Sequence, residues 1–200
     1  VIATHNAKKA GEMSTILAEE LPGVEFVTLE AFPGAPEPEE TGRTYRENAA
    51  IKALSGFAFT GLPSLADDAG LEIAALGGAP GVYSKRFGGE ESPFPEKMAH
   101  ILDLMRDVPE DLRAARFRCV IALASGREPE FFEATCEGRI ALEASGEGGF
   151  GYDPIFWLPE LGCTMADLSA EQKHRISHRG KVLRAFGVAM RERLQALSKI

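Results

Sequence analysis

Two adjacent aspartates, Asp67 and Asp68, follow a short apolar run and precede Gly70, a Leu-Glu-Ile run and the cluster Gly77, Gly78, Pro80 and Gly81. Carboxylates at the end of a strand contribute little stability, but they suit a chain that holds a divalent cation or activates a water. Asp and Gly are also ordinary turn residues, so the pattern fits a solvated β-turn as well. More carboxylates, Glu37, Glu39 and Glu40, stand in a Pro/Glu-rich segment upstream. Mg²⁺ needs only one or two carboxylates besides substrate phosphates and waters, so this supply suffices. Glu37 and Glu39 read as a solvated acidic face, with Glu40 the exception. No His/Cys spacing suggests zinc.

Three other clusters could meet an anionic, flat ligand. In Thr4-His5-Asn6-Ala7-Lys8-Lys9 a strand turns into a helix, which presents backbone N–H groups and a positive dipole end. Thr4 and Asn6 can donate to phosphate oxygens and Lys9 can supply a point charge. The same stretch also fits a helix cap with solvated lysines, and no Walker A loop occurs in the chain. In Gly148-Gly149-Phe150-Gly151-Tyr152-Asp153-Pro154 the glycines let backbone approach a ligand on which Phe150 stacks, while Asp153 accepts hydrogen bonds. An aromatic plug into the core is the alternative. Finally, Lys173 stands near Ser177-His178-Arg179, where Ser177 can cap the last helix and leave His178 and Arg179 as cations in its first turn, against the macrodipole, which favours a bound acceptor. His100 and His174 read as structural.

The elements that must position these groups follow from hydrophobic spacing. The opening VIAT reads as a buried strand, and Met13, Ile16, Leu17 and Leu21 recur at helical spacing until Pro22-Gly23. VEFVTL reads as a second strand, and FPGAPEPEETG as a long loop. Thr44 and Glu47 form a capping box for a helix with Tyr45, Ala49, Ala53 and Phe57 on one face, running to about Phe59. The aspartate strand comes next. Ser92-Pro93 opens a helix with Met98, Ile101, Leu102 and Met105 inward. ARFRCVIALA and EFFEATCEGRI read as a hairpin about Ser125–Pro129, and the glycine-rich loop leads into IFWL. Ser169 and Gln172 make a second capping box. A last helix from about Ser177 to Ser198 buries Leu183, Phe186, Met190, Leu194 and Leu197. Strand–helix units followed by a hairpin predict an α/β fold on a mixed sheet.

With 200 residues the chain can bury one sizeable core, and no run approaches a membrane span. A net charge of −8 argues against a general nucleic-acid binder while leaving room for a nucleotide site. The three cysteines form no C-x-x-C pair, and Cys119 reads as a buried reduced thiol. No signal peptide is expected, a few native residues are expected before Val1, and the address expected is cytoplasmic.

Taken in order, ATHNAKK, EETGRTYRENAAIKA, ADDAGLEIAALGGAPGVYSKRF, GGFGYDPIF and LSAEQKHRISHRGKVL resemble the inosine triphosphate pyrophosphatase family, the non-canonical purine (XTP/dITP) pyrophosphatases. The pieces run from residue 3 to residue 183, and their order makes the likeness specific. The resemblance implies a single domain over residues 1–200, an elongated mixed β-sheet with flanking helices, and two lobes around a nucleotide-binding cleft. It implies a homodimer and Mg²⁺-dependent hydrolysis of ITP, dITP and XTP to monophosphate and pyrophosphate. By similarity, Thr4, His5, Asn6, Ala7, Lys8 and Lys9 bind the triphosphate, Glu40 and Asp68 serve the metal, and Asp68 is the general base. Phe150, Gly151, Tyr152, Asp153, Lys173, His178 and Arg179 match the nucleobase side.

Two departures stand out. Ala69 occupies a substrate-contacting position where the family usually has serine, and Lys8 one where it often has glycine. Both predict changed KM or substrate preference, since neither removes a required charge. Rival readings are a Maf-like pyrophosphatase for dTTP or UTP, a nucleotide sensor without turnover, and a metal-dependent monophosphatase.

Overall fold

In the computed structural model, which describes residues 1–197, five α-helices and five strands are seen among the described residues. They are α1 (Ala7–Glu20), α2 (Tyr45–Thr60), β1 (Ser64–Ile73), α3 (Phe94–Leu104), β2 (Ala114–Ala124), β3 (Glu130–Ile140), β4 (Phe156–Leu158), β5 (Cys163–Thr164), α4 (Ala170–Ile176) and α5 (His178–Leu197). The sheet runs β1-β2-β3-β4-β5, with β3–β4 and β4–β5 antiparallel. Parallel pairing comes from single bridges of Ile2 with Thr28 and with Leu65. The α/β class and mixed pairing agree with the sequence.

The predicted strands VIAT and VEFVTL shrink to those bridges. Ile2 N–H donates to Val27 O at 2.8 Å and Ala3 N–H to Leu65 O at 2.7 Å. One side of the pairing then turns at Asn6 into α1, and the other enters a 3₁₀ turn at Leu29–Ala31. Too few residues stay in register for a strand.

The chain forms two compact units. Among the described residues, the first comprises Val1–Asp68, Cys119–Ala134 and 179–197; the second comprises Ala69–Arg118 and Thr135–His178. In the first, Asn6 caps α1 by accepting the Lys9 N–H. Met13 and Leu17 are fully buried, each worth about 1.5–3 kcal/mol. The Thr44–Glu47 capping box starts α2 and Gly61, in the left-handed region at φ 70°, stops it. Ala49 and Ala53 are buried as read, with Phe57 half-buried.

The last helix departs from expectation. Leu183 and Phe186 are buried and Met190 is half-buried, but Leu194 and Leu197 are exposed, and Ser198 lies outside the described residues. At this end α5 is held by charge instead: Arg191 Nη1 meets Glu20 Oε2 at 2.8 Å, and Arg193 Nη1 meets Glu130 Oε1 at 2.8 Å.

The second unit has its own core of Leu71, Ile73, Ile101, Met105, Phe117 and Phe156, against which Met98 and Leu102 pack partly buried. His100 is exposed and lies against Phe87 at 5.5 Å, a structural contact. The Gly77–Tyr83 turn is architecture: Ile73 N–H donates to Ala79 O, and Glu72 bridges to Pro80. No described helix is long and apolar enough to cross a membrane.

Candidate active site

Strand geometry separates the aspartate pair, because successive side chains point to opposite faces. Asp67 is fully buried. Its Oδ2 accepts from Arg179 Nη2 at 2.8 Å and lies 3.2 Å from Lys9 Nζ, with Cys119 Sγ at 3.9 Å. Burial alone would raise its carboxyl, but the charges of Lys9, Arg179 and Lys52 override that and hold it well below the carboxylate range. Arg179 is itself buried and also reaches Glu12 Oε2 at 2.8 Å. Burial, with Asp67 adding, pushes the Cys119 thiol up to about 12, so it stays protonated and inert.

Asp68 faces α2. Its Oδ2 accepts from Asn48 Nδ2 at 3.2 Å, and its Oδ1 lies 3.3 Å from Lys52 Nζ. Lys52 also donates to Glu40 Oε1 at 2.9 Å. Here burial dominates, helped by Glu40 and Asp67, and raises the carboxyl above its ordinary value despite Lys52 and Lys9. A raised carboxylate is a stronger base than an exposed one. Lys52 has the opposite balance: burial would lower it, but Asp68, Asp67 and Glu40 keep it charged and raise it.

Among the described residues no group of three or more His, Cys, Asp or Glu is arranged to hold a metal ion. Glu40 and Asp68 nevertheless grip one ammonium between them, which marks a place where positive charge fits two carboxylates. That donor set suits Mg²⁺, which takes its remaining ligands from substrate and water.

The Thr4–Lys9 turn lies in the same unit. Thr4 Oγ1 accepts from Asn6 N–H at 3.2 Å, and His5 Nε2 meets Pro36 O at 3.1 Å. His5, Asn6, Ala7 and Lys8 are exposed at the start of α1, whereas Lys9 is half-buried on Asp67. A pocket of about 320 Å³ opens beside the turn, lined by residues including Thr4, His5, Ala7, Phe32 and Gly34.

The second unit holds the aromatic cluster. Asp153 Oδ2 accepts from Phe150 N–H and from Lys173 Nζ, both at 2.8 Å, and Lys173 Nζ sits 4.4 Å from the centre of the Phe150 ring. Gly149 has φ 67° and a Cβ there would fall 2.1 Å from Asp153 Oδ2, so only glycine permits this closure. Gly151 has φ 69°. Tyr152 is buried, donates to Ser84 O at 2.8 Å and meets the Phe94 edge, so it anchors the loop. Burial pushes its phenol up to about 12. His178 stacks on Phe117 at 4.8 Å.

Of the residues singled out in sequence, Lys9, Glu40, Asp67, Asp68 and Arg179 form linked contacts in the first unit, beside the Thr4–Lys8 turn. Phe150, Asp153 and Lys173 cluster in the second, which also holds Ala69, half-buried, Gly151, Tyr152 and His178. His178 and Arg179, read together as a pair of base-side donors, belong to different units, with the Arg179 guanidinium on Asp67 and Glu12. Sequence reasoning missed Asn48, Lys52 and Glu12. Asn48 and Lys52 immediately precede the apolar positions Ala49 and Ala53 on α2, a usable signal; Glu12 meets a partner 167 residues away and carries none.

A mixed α/β chain with a carboxylate pair near a cation-bearing helix start is equipped to bind and act on a polyanion. Its relationships are closer than that class. The sequence profile of the Ham1 family matches residues 1–188, and the chain belongs to that family. A dITP/XTP pyrophosphatase of Desulforamulus reducens is 50% identical over 186 residues, covering 92% of this chain and 91% of the relative. Among solved structures, a HAM1 protein from Coxiella burnetii aligns with TM-score 0.86 at 40% identity, over 96% of this chain and 97% of that one. The Ham1 protein of Staphylococcus aureus aligns with TM-score 0.85 at 35% identity and the same coverages.

Proposed function

We propose that this protein hydrolyses ITP, dITP and XTP between the α- and β-phosphates, giving the nucleoside monophosphate and pyrophosphate, with Mg²⁺ as cofactor. The observation that carries the reading is Asp68: a buried carboxylate with a raised pKa, paired with Glu40 about a single ammonium, in a chain of the Ham1 family. Asp68 orients the attacking water and takes its proton. Mg²⁺ held by Glu40 and Asp68 would supply charge neutralisation on the phosphates. Backbone N–H groups at the start of α1, with Thr4, Asn6 and Lys8, receive the triphosphate. Lys9 and Lys52 add ammonium charge that offsets the charge developing on pyrophosphate as it leaves.

For recognition of the base, the sequence resemblance supports Phe150 for stacking and Lys173 and His178 as donors. Hypoxanthine and xanthine carry a 6-carbonyl acceptor where adenine has an amino donor. A donor placed there pairs with the former and is left unpaired by the latter, a costly mismatch when buried. For Arg179, the contacts to Asp67 and Glu12 support an anchoring role beside the base-side role drawn from resemblance. We further propose a cytoplasmic homodimer that cleanses the nucleotide pool and binds neither nucleic acid nor membrane.

The test is product analysis on ITP, XTP, dTTP and ATP with Mg²⁺. ITP and XTP should yield monophosphate and pyrophosphate, ATP little, and EDTA should abolish turnover. Preferential cleavage of dTTP, release of orthophosphate, or thermal stabilisation by nucleotide without product would each refute the assignment.

A further inference from the structure

Asn48 is fully buried on α2, yet it belongs to neither the apolar core nor any group that touches substrate in the reading above. Its two amide ends are committed in different directions. Nδ2 donates to Asp68 Oδ2 at 3.2 Å, and Oδ1 accepts from Gly42 N–H at 2.8 Å. The Gly42 contact fixes which end of the amide is oxygen and which nitrogen.

Gly42 lies two residues after Glu40, and its backbone presses against α2. A Cβ there would fall 2.5 Å from Asn48 Oδ1 and 2.9 Å from Asn48 N. The backbone at Gly42 is not left-handed, so space rather than conformation demands glycine. The next two N–H groups, of Arg43 and Thr44, donate to Glu47 Oε2 at 2.6 and 3.1 Å. Three successive N–H groups after Glu40 are thus taken by the neighbouring side chains Glu47 and Asn48. One turn further along α2, Lys52 contacts both Glu40 and Asp68.

We propose that Asn48 is a positioning residue: by holding Gly42 with its oxygen and Asp68 with its nitrogen, it sets Glu40 and Asp68 at the separation one divalent cation requires. The inference rests on the metal-dependent reading above. An aspartate could serve Gly42 but not donate to Asp68, and an aliphatic residue could do neither. Outer-shell partners of this kind are typically worth about 10–100-fold in metal affinity or activity.

The experiment measures Mn²⁺ binding to the free protein by electron paramagnetic resonance, alongside kcat and KM for ITP and the melting temperature. The variants are Asn48→Ala and Gly42→Ala. The second keeps every polar group and displaces Asn48 through the added methyl, so it remains informative if the first does not fold. Both should bind Mn²⁺ about tenfold or more weaker and lose kcat, with KM for ITP at saturating Mg²⁺ within about twofold. Lower melting temperature with Mn²⁺ affinity and kcat intact overturns the proposal, because a purely structural role moves stability alone. A parent protein whose Mn²⁺ binding is unchanged by Glu40→Gln overturns the metal reading itself, and the inference with it.

Discussion

Arg179 clasps Asp67 through two nitrogens, Nη2 at 2.8 Å and Nε at 3.3 Å from the same carboxylate oxygen, with both side chains out of solvent. The guanidinium reaches from the start of α5 to β1, 112 residues earlier. Removing one partner of a buried pair leaves an uncompensated charge. Asp67→Asn should therefore destabilise the protein by about 3–5 kcal/mol, read by urea unfolding. A loss under about 1 kcal/mol would show that water reaches Arg179 and Lys9.

Asp68→Asn separates chemistry from stability. Turnover of ITP should fall by about 10²–10⁴-fold, the range for a lost general base, while nucleotide still raises the melting temperature. Near-normal kcat would remove Asp68 from that role.

His178→Ala should narrow the preference for ITP over ATP. A lost hydrogen bond of about 1–2 kcal/mol corresponds to roughly 5- to 30-fold in the ratio of kcat/KM values. Equal losses on both substrates would instead assign the ring, which stacks on Phe117, to positioning.

Ala69→Ser places a hydroxyl at the position where the resemblance implies a substrate contact. KM for ITP should fall with kcat within about twofold, as for an interaction present equally in ground and transition states. An unchanged KM would mean the backbone already meets the substrate there.

Asp167 gives a pH dependence. The Thr164 N–H, the Thr164 hydroxyl and the Ser145 hydroxyl hold its carboxyl below the ordinary 3.8. A lowered folded pKa means the unfolded chain takes up the proton first. The stabilisation is therefore complete above the unfolded value and is lost as pH falls below about 4. Asp167→Asn should melt lower than the parent at pH 7, with the gap closing on acidification. A gap independent of pH would deny the linkage.

Much of the fold was legible because its signals are local. Both capping boxes, Thr44 with Glu47 and Ser169 with Gln172, form as read, and β2 and β3 occupy the predicted stretches. Errors arose where partners decide the outcome. VEFVTL has a strand's composition but meets its partner at one residue, and Leu194 and Leu197 keep helical spacing beyond the apolar surface that could receive them. In the site, residue types announced the carboxylates and the cation-bearing turn. What they could not announce is which polar groups face one another across long separations: Lys52 toward Glu40, Asn48 toward Asp68, Glu12 toward Arg179. Periodicity says which face is apolar; it is silent on which buried polar group answers another.

The opposed facing of Asp67 and Asp68 makes the doublet a parity check on β1. Displace the strand by one residue and only one carboxylate lands in the other's surroundings, while the second position receives an alanine, Ala66 or Ala69. The residue in Asp68's place would be Asp67 or Ala69, and Lys9 and Arg179 would correspondingly meet Ala66 or Asp68 where Asp67 now stands. The two letters look interchangeable in the sequence, yet any frame other than the native one is penalised twice, once in folding and once in turnover.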